Sequence, residues 1–343
     1  MRAVYLTGHG GVDVLTYGEL PDPVPREGEV LVRVLACGVN HVDVWLRKGL
    51  PFLKLDLPFV PGVDIAGEVV AAGSAAGSLE PGTHVLVNPG VSCGRCERCL
   101  SGRDNLCASY RLIGEHLPGG YAELVKVPAQ NLVPLPADMP FVGAACLAGS
   151  FGTAWNMIFD QAELEPGEWI LVHAGGSGVG SAAIQLARLV GANVITTAGS
   201  DEKVEKAKAL GAQHGINYKT HDFLREVRRI THKRGVDVVI EHIGEDVWER
   251  SLLCLVAGGR LVTCGATSGY MPKTNLRHVF FRNLRILGAT TASKAALFRI
   301  VRLVHEGKLA PVLDRVLPVR DARHAQELLE QRKQFGKLVL VHE

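Results

Sequence analysis

Ile170-Leu171-Val172-His173-Ala174-Gly175-Gly176-Ser177-Gly178-Val179-Gly180 reads as a short apolar strand that turns on glycines into the helix-period run Ser181–Val190. Such a turn brings backbone N–H groups and a helix N-terminus against a pyrophosphate, so Gly175, Ser177, Gly178, Val179 and Gly180 are candidate cofactor-binding residues. The strict G-x-G-x-x-G spacing is broken, because its second glycine falls on Ser177. A bare strand–helix connection uses the same glycines, but the flanking elements favour a dinucleotide. Downstream come strand-like Asn193–Thr197, helix-like Asp201–Leu210, and strand-like Gly215–Tyr218, Asp237–Glu241, Arg260–Cys264 and Ile286–Ala289. Alternation of this kind predicts a doubly wound, parallel Rossmann sheet over residues 131–290.

The second strand bears on which dinucleotide. An NAD-preferring site ends this strand in Asp or Glu, which holds the ribose hydroxyls. Here it ends Thr196-Thr197-Ala198-Gly199-Ser200. Ser200 can donate to a 2′-phosphate, Lys203 can supply charge, and Tyr218 closes the next strand nearby, which predicts NADPH with NADH as the alternative. Asp201 reads as the cap of the following helix, not as a ribose ligand.

Upstream, residues 1–130 hold short β-like runs at Val30–Ala36, Ile65–Ala71, His84–Asn88 and Ala122–Pro128, punctuated by proline and glycine. That texture predicts a small barrel with loops. Set into it is Cys93-Gly94-Arg95-Cys96-Glu97-Arg98-Cys99, then Cys107, a C-x2-C-x2-C-x7-C pattern. Four thiolates so close in sequence can close a tetrahedron, and all-sulfur ligation favours a structural zinc with no position left for substrate. A disulfide cluster and an iron–sulfur centre compete; glycine turns between the cysteines and a start without a signal-peptide pattern favour zinc.

The other four cysteines, Cys37, Cys146, Cys254 and Cys264, sit in apolar stretches and suit buried thiols of a reducing, cytoplasmic compartment. With 343 residues, 47% hydrophobic content and a formal charge of +2, the chain can bury large cores and offers no basic field for nucleic acid. The longest apolar stretch, Val142–Phe159, is interrupted by Ser150, Thr153 and Asn156 and reads as a buried helix, not a membrane span.

Zinc loop, preceding barrel and following dinucleotide fold together resemble the medium-chain dehydrogenase/reductase superfamily over essentially the whole chain. The resemblance implies an α/β protein: a GroES-like catalytic domain (1–130), a Rossmann domain (131–290) and a C-terminal return to the catalytic domain (291–343). It also implies a homodimer or homotetramer paired through the strand near Ile286–Gly288. Zinc alcohol dehydrogenases of this superfamily bind a catalytic zinc, whose ligand positions fall here on Asn40, Val63 and Gly149. None of these can serve. The segment Gly38-Val39-Asn40-His41-Val42-Asp43, with Arg47 and Pro61-Gly62-Val63-Asp64, instead resembles the quinone oxidoreductase branch, which works without catalytic metal and usually prefers NADPH.

Alcohol oxidation needs a Lewis acid to lower the alkoxide pKa, whereas quinones and α,β-unsaturated carbonyls are already electrophilic. The expected reaction is therefore hydride transfer from NADPH to a small carbonyl, enone or quinone. Asn40 is the first candidate for a polar contact beside the nicotinamide, and His41 with Asp43 for a proton-donating pair. Two alternatives stand: a zinc alcohol dehydrogenase with a second, non-standard site from His41, Asp64, Glu115 and His116, or an NADPH-binding protein without activity. By resemblance, Lys337 in Phe335-Gly336-Lys337 falls near the cofactor phosphates, or is a plain surface lysine.

Overall fold

The computed structural model describes residues 1–342 other than 52, 75, 76 and 78. The chain forms two compact units, residues 1–152 with 291–343 and residues 153–290. The first boundary falls later than residue 130, because the segment after it stays in the barrel by strand pairing described below.

In the first unit β1 (Arg2–Leu6) and β2 (Leu15–Glu19) form a hairpin. The main sheet is built from β3 (Glu29–Gly38), β4 (Asp64–Ala72) and β5 (His84–Val87). Two short strands, β6 (Gly90–Val91) and β7 (Arg111–Leu112), pair across the cysteine loop. β8 (Leu124–Pro128) pairs with β3, and β9 (Leu132–Pro134) pairs with β5, which is what keeps residues 131–134 in this unit. Val30, Val32, Val34, Val69, Val85 and Val127 turn to its core at 0–1% exposure, the alternation a one-sided sheet requires.

The second unit is a six-stranded parallel sheet: β10 (Trp169–Val172), β11 (Asn193–Ala198), β12 (His214–Asn217), β13 (Val236–Glu241), β14 (Leu255–Thr263) and β15 (Arg285–Gly288). Their spatial order is β12-β11-β10-β13-β14-β15, the doubly wound arrangement whose switch point lies at β10. Ile170, Leu171 and Val172 are all 0% exposed, as a central strand covered on both faces must be. β16 (Leu313–Pro318) and β17 (Lys337–Val341) return to the first unit, where β17 pairs antiparallel with β3. The helical run Phe141–Gln161 is apolar and long enough to cross a membrane, and 72% of its most apolar window is buried inside the protein.

Candidate functional site

Three adjacent strands of the first unit assemble a buried polar cluster. β17 pairs Val339 with Gly38 of β3, so the register carried two residues on sets Lys337 opposite Asn40; β3 in turn pairs Gly38 with Asp64 of β4. The Lys337 side chain is 5% exposed and that of Asp64 0%. Lys337 Nζ donates to Asp64 Oδ2 at 2.9 Å, to Asn40 Oδ1 at 2.7 Å and to the Val39 carbonyl at 2.9 Å. An ammonium has three N–H donors, and all three are used. Asn40 Nδ2 donates to Asp64 Oδ2 at 3.0 Å and to the Gly38 carbonyl at 3.2 Å, while Asp64 Oδ1 accepts the Gly149 N–H.

This cluster occupies the ground where the family motif sets zinc ligands. Asn40 gives its oxygen to an ammonium, Val63 is an apolar residue at 4% exposure, and a Cβ on Gly149 would stand 2.8 Å from Asp64 Oδ1. A cysteine or aspartate at position 149 would therefore displace the carboxylate that balances Lys337. Lys337 is not a surface lysine: its side chain is buried and its head is bonded by residues of this unit. Asp64 is the centre of the cluster.

The expected His41–Asp43 pair does not form. The two are the first and third residues of the helix His41–Lys48, a spacing that points side chains apart. Asp43 Oδ2 instead accepts the Asn40 N–H at 2.8 Å and the Tyr121 hydroxyl at 3.0 Å, and Oδ1 has no partner. Burial pushes its carboxyl up to about 7, against the lowering by those two donors. Burial, with Lys337 adding to it, pushes His41 down to about 4, and its ring lies near Trp45. Arg47 is buried as a tie, donating to Gln326 Oε1, the Gly10 carbonyl and Glu330 Oε2.

The cysteine quartet comes together as expected. All four Sγ atoms lie within 4.8 Å of one another, with Cys93–Cys99 at 3.9 Å, Cys96–Cys99 at 3.5 Å and Cys96–Cys107 at 3.9 Å. Four sulfurs each about 2.3 Å from one zinc stand about 3.8 Å apart, so the thiols fit a tetrahedral ion without rearrangement. Backbone N–H groups of Arg95 and Cys96 pull the Cys93 thiol down to about 6, favouring the thiolate a metal requires. The loop is anchored where Tyr110 Oη meets Thr291 Oγ1 at 2.6 Å and Asp104 Oδ1 accepts the Lys294 N–H at 3.0 Å. Among the described residues these cysteines form the one metal-competent group, and His41, Asp64, Glu115 and His116 do not assemble into another.

In the second unit β10 ends at Val172 and the chain turns at Ala174 with φ +48°. A Cβ on Gly175 would stand 2.3 Å from Thr196 Oγ1, and one on Gly180 2.2 Å from the Ala174 carbonyl. Both positions admit only glycine, which lets the helix Gly178–Val190 press against the strand. Ser177 is its N-cap: Oγ accepts the Gly180 N–H at 2.9 Å and meets His242 Nε2 at 3.1 Å. The cap thus explains the missing second glycine. N–H groups at the start of the helix, those of Gly178 and Val179, have no carbonyl of their own to bond and suit a phosphate oxygen.

At the end of β11, Ser200 caps the helix Asp201–Ala209, with Oγ accepting the Lys203 N–H at 3.3 Å. Asp201 is therefore not the cap; its Oδ1 accepts from Asn217 Nδ2 at 2.8 Å. Tyr218 is 40% exposed, and its hydroxyl stands 2.8 Å from where a Cβ on Gly199 would sit. Ser200, Lys203 and Tyr218 thus gather around one strand end. Tyr121 is the residue sequence reasoning missed; Lys337 was singled out, but its partners were not, because only the β17–β3 register, which no local pattern carries, sets it beside Asn40 and Asp64.

Residues 26–137 match the family model of the alcohol dehydrogenase GroES-like domain, and residues 178–306 that of the zinc-binding dehydrogenases. The chain is 32% identical to an NAD-dependent alcohol dehydrogenase of Saccharolobus solfataricus, over 99% of this chain and 100% of that one. It is 28% identical to a quinone oxidoreductase of Rattus norvegicus, over 99% and 98%. A crystal structure of an NAD-dependent alcohol dehydrogenase superposes with a TM-score of 0.96 at 49% identity, covering 100% of both chains.

Proposed function

The chain belongs to the medium-chain dehydrogenase/reductase superfamily as an NAD(P)H oxidoreductase, and from that premise we propose that it reduces quinones or α,β-unsaturated carbonyls with NADPH, carrying one structural zinc. The observation that carries the reading is the Lys337 ammonium, balanced by Asp64 and shared with Asn40, at the ground where a catalytic zinc would need ligands. An already electrophilic acceptor needs no such ion to begin reacting.

Nicotinamide, when bound, supplies a hydride. Gly175, Gly178, Val179 and Gly180 would hold its pyrophosphate, and Ser200, Lys203 and Tyr218 the ribose 2′-phosphate. Cys93, Cys96, Cys99 and Cys107 would hold the zinc, which keeps their loop folded. Asn40 positions instead of reacting, because both ends of its amide are bonded within the cluster. We further propose a homodimer or homotetramer; β15 is an edge strand, and Phe280 and Phe281 beside it are 59% and 74% exposed. A cytoplasmic setting is supported by the buried thiols Cys37, Cys146 and Cys254, which stand apart from the zinc loop and form no disulfide.

The names of the similar dehydrogenases favour a second reading, NAD-dependent alcohol oxidation. One assay separates the two. The purified protein is given NADPH or NADH with a 1,4-quinone or an enone, and NAD⁺ or NADP⁺ with primary and secondary alcohols. NADPH oxidation by quinone or enone should exceed alcohol oxidation at least tenfold in kcat/KM. Faster alcohol turnover with NAD⁺ would overturn both the substrate class and the cofactor.

A further inference from the structure

At the far end of the Rossmann sheet from the glycine turn lies an open groove of about 640 Å³, lined by Arg225, Arg228, Arg229, Lys233, Arg234 and Arg282. Its floor is Gly235, Leu253 and Leu255, where β13 and β14 begin. The glycine turn follows the carboxyl end of β10, so the groove sits at the opposite strand ends, roughly 17 Å along a six-residue strand. It belongs to neither the cofactor turn nor the Lys337 cluster.

The charge in it is not balanced. Glu226 pairs with Arg229 at 2.7 Å and Asp237 with Arg234 at 2.8 Å. Among the described residues no carboxylate pairs with Arg225, Arg228 or Lys233. Arg225, Arg228 and Arg229 stand three and four residues apart on the helix Phe223–Ile230, a spacing that sets like charges side by side. Arg282 comes from another segment, its guanidinium fixed by the carbonyls of Leu252 at 2.8 Å and Leu255 at 3.0 Å. Lys233 is presented by the turn that ends the helix, in which His232 and Lys233 both have positive φ, 50° and 69°. The arginines of this helix are exposed, and cations from two further segments join them over one concave surface, which a lone solvated helix face does not require.

We infer that this groove binds a small anion carrying two or more phosphoryl groups, whether an inorganic polyphosphate or the phosphate chain of a nucleotide. Guanidinium forks match phosphate oxygens two at a time, and several converging on one groove select multivalent over monovalent anions. The volume lies within the usual 300–1,000 Å³ of small-molecule sites. The chain's formal charge of only +2 argues against a nucleic-acid surface, which needs a basic face extending well beyond one groove.

The test is calorimetric titration of the full chain, with its cofactor site saturated by NADPH, using sodium tripolyphosphate and, separately, ATP. One saturable site is expected, with affinity at least tenfold weaker in Arg225→Glu/Arg228→Glu and unchanged in Lys208→Glu. Arg228→Ala, a milder change on an exposed face, should weaken binding by a smaller factor while NADPH turnover stays at the wild-type rate. ATP binding tighter than tripolyphosphate would support a nucleotide source, with the base over Leu253 and Leu255; equal binding would support the phosphate chain alone. Affinity unchanged in the double variant, or a short DNA duplex binding more tightly than tripolyphosphate, would overturn the assignment.

Discussion

The cysteine loop and the Lys337 cluster solve the same problem, gathering polar groups in the catalytic unit, with opposite means. The loop draws four ligands from fifteen consecutive residues, 93–107, and leaves them arranged for an ion the chain does not itself contain. The cluster draws on residues 39–40, 64, 149 and 337 and satisfies them internally. The first is local and depends on a metal; the second is non-local and supplies its own cation. On the proposed reading, the fold keeps one metal site of its family and replaces the other with an ammonium.

The largest effect should come from breaking the loop. Cys96→Ser is expected to lower bound zinc from one per chain to none by elemental analysis. Apparent zinc-binding energies of about 10–16 kcal/mol in zinc-finger peptides are comparable to a domain's whole stability margin of about 5–15 kcal/mol, so losing a large part of such a term is enough to unfold the unit. The thermal melt should show the catalytic unit unfolding first; a full-height melt with zinc absent would show that the loop is dispensable.

Next comes the ammonium. Lys337→Met leaves the Asp64 carboxylate buried without its counter-ion, which costs about 3–5 kcal/mol, whereas Lys337→Met combined with Asp64→Leu should recover most of that loss. Urea denaturation of the two single variants and the double variant measures the coupling. Additive losses would mean the pair contributes little beyond packing.

A smaller, pH-dependent effect separates Asp43 from the cluster it adjoins. Its folded pKa of about 7 lies above the unfolded value of 3.8, so its contribution is fully present below about pH 4 and is lost as pH rises toward 7. His41, lowered from 6.5 to about 4, contributes in the opposite direction, losing stability as pH falls through that window. Asp43→Asn should therefore make stability rise more steeply between pH 4.5 and 6.5, by up to about 1.4 kcal/mol per pH unit. Denaturation curves at the two pH values with identical slopes in both proteins would refute the shifted carboxyl. Smallest of all, Glu115→Gln with His116→Ala should leave the zinc content at one per chain and cost about 1 kcal/mol, the worth of the hydrogen bond that His116 Nδ1 accepts from the Leu112 N–H.

What the sequence disclosed follows the same divide. The glycine turn, the cysteine spacing and the run of parallel strands are written in neighbouring residues, so their elements were readable to within a few positions. Asn40 and Asp64 were visible as candidates, yet their roles were not, because the partner that fixes both arrives from residue 337 by strand pairing. Asp43 was misread for a related reason: Tyr121, seventy-eight residues away, takes the place assigned to His41. Ser177 and Ser200 were noticed for ligand chemistry, whereas the structure shows them first as helix caps.

The split composition of the catalytic unit also has a bearing on how the chain is made. On the ribosome, residues 153–290 emerge as one continuous stretch and hold every strand of their own sheet. The barrel, although translated first, must wait: the Ala36–Gly38 end of β3 lacks the neighbour that β17 provides, and Asp64 lacks its counter-ion. This connectivity is expected to invert the usual N-terminal-first order of domain folding. The nascent barrel therefore carries an open strand edge and an acid without its counter-ion until residues 337–341 are translated, and that one strand supplies both the missing edge partner and the lysine.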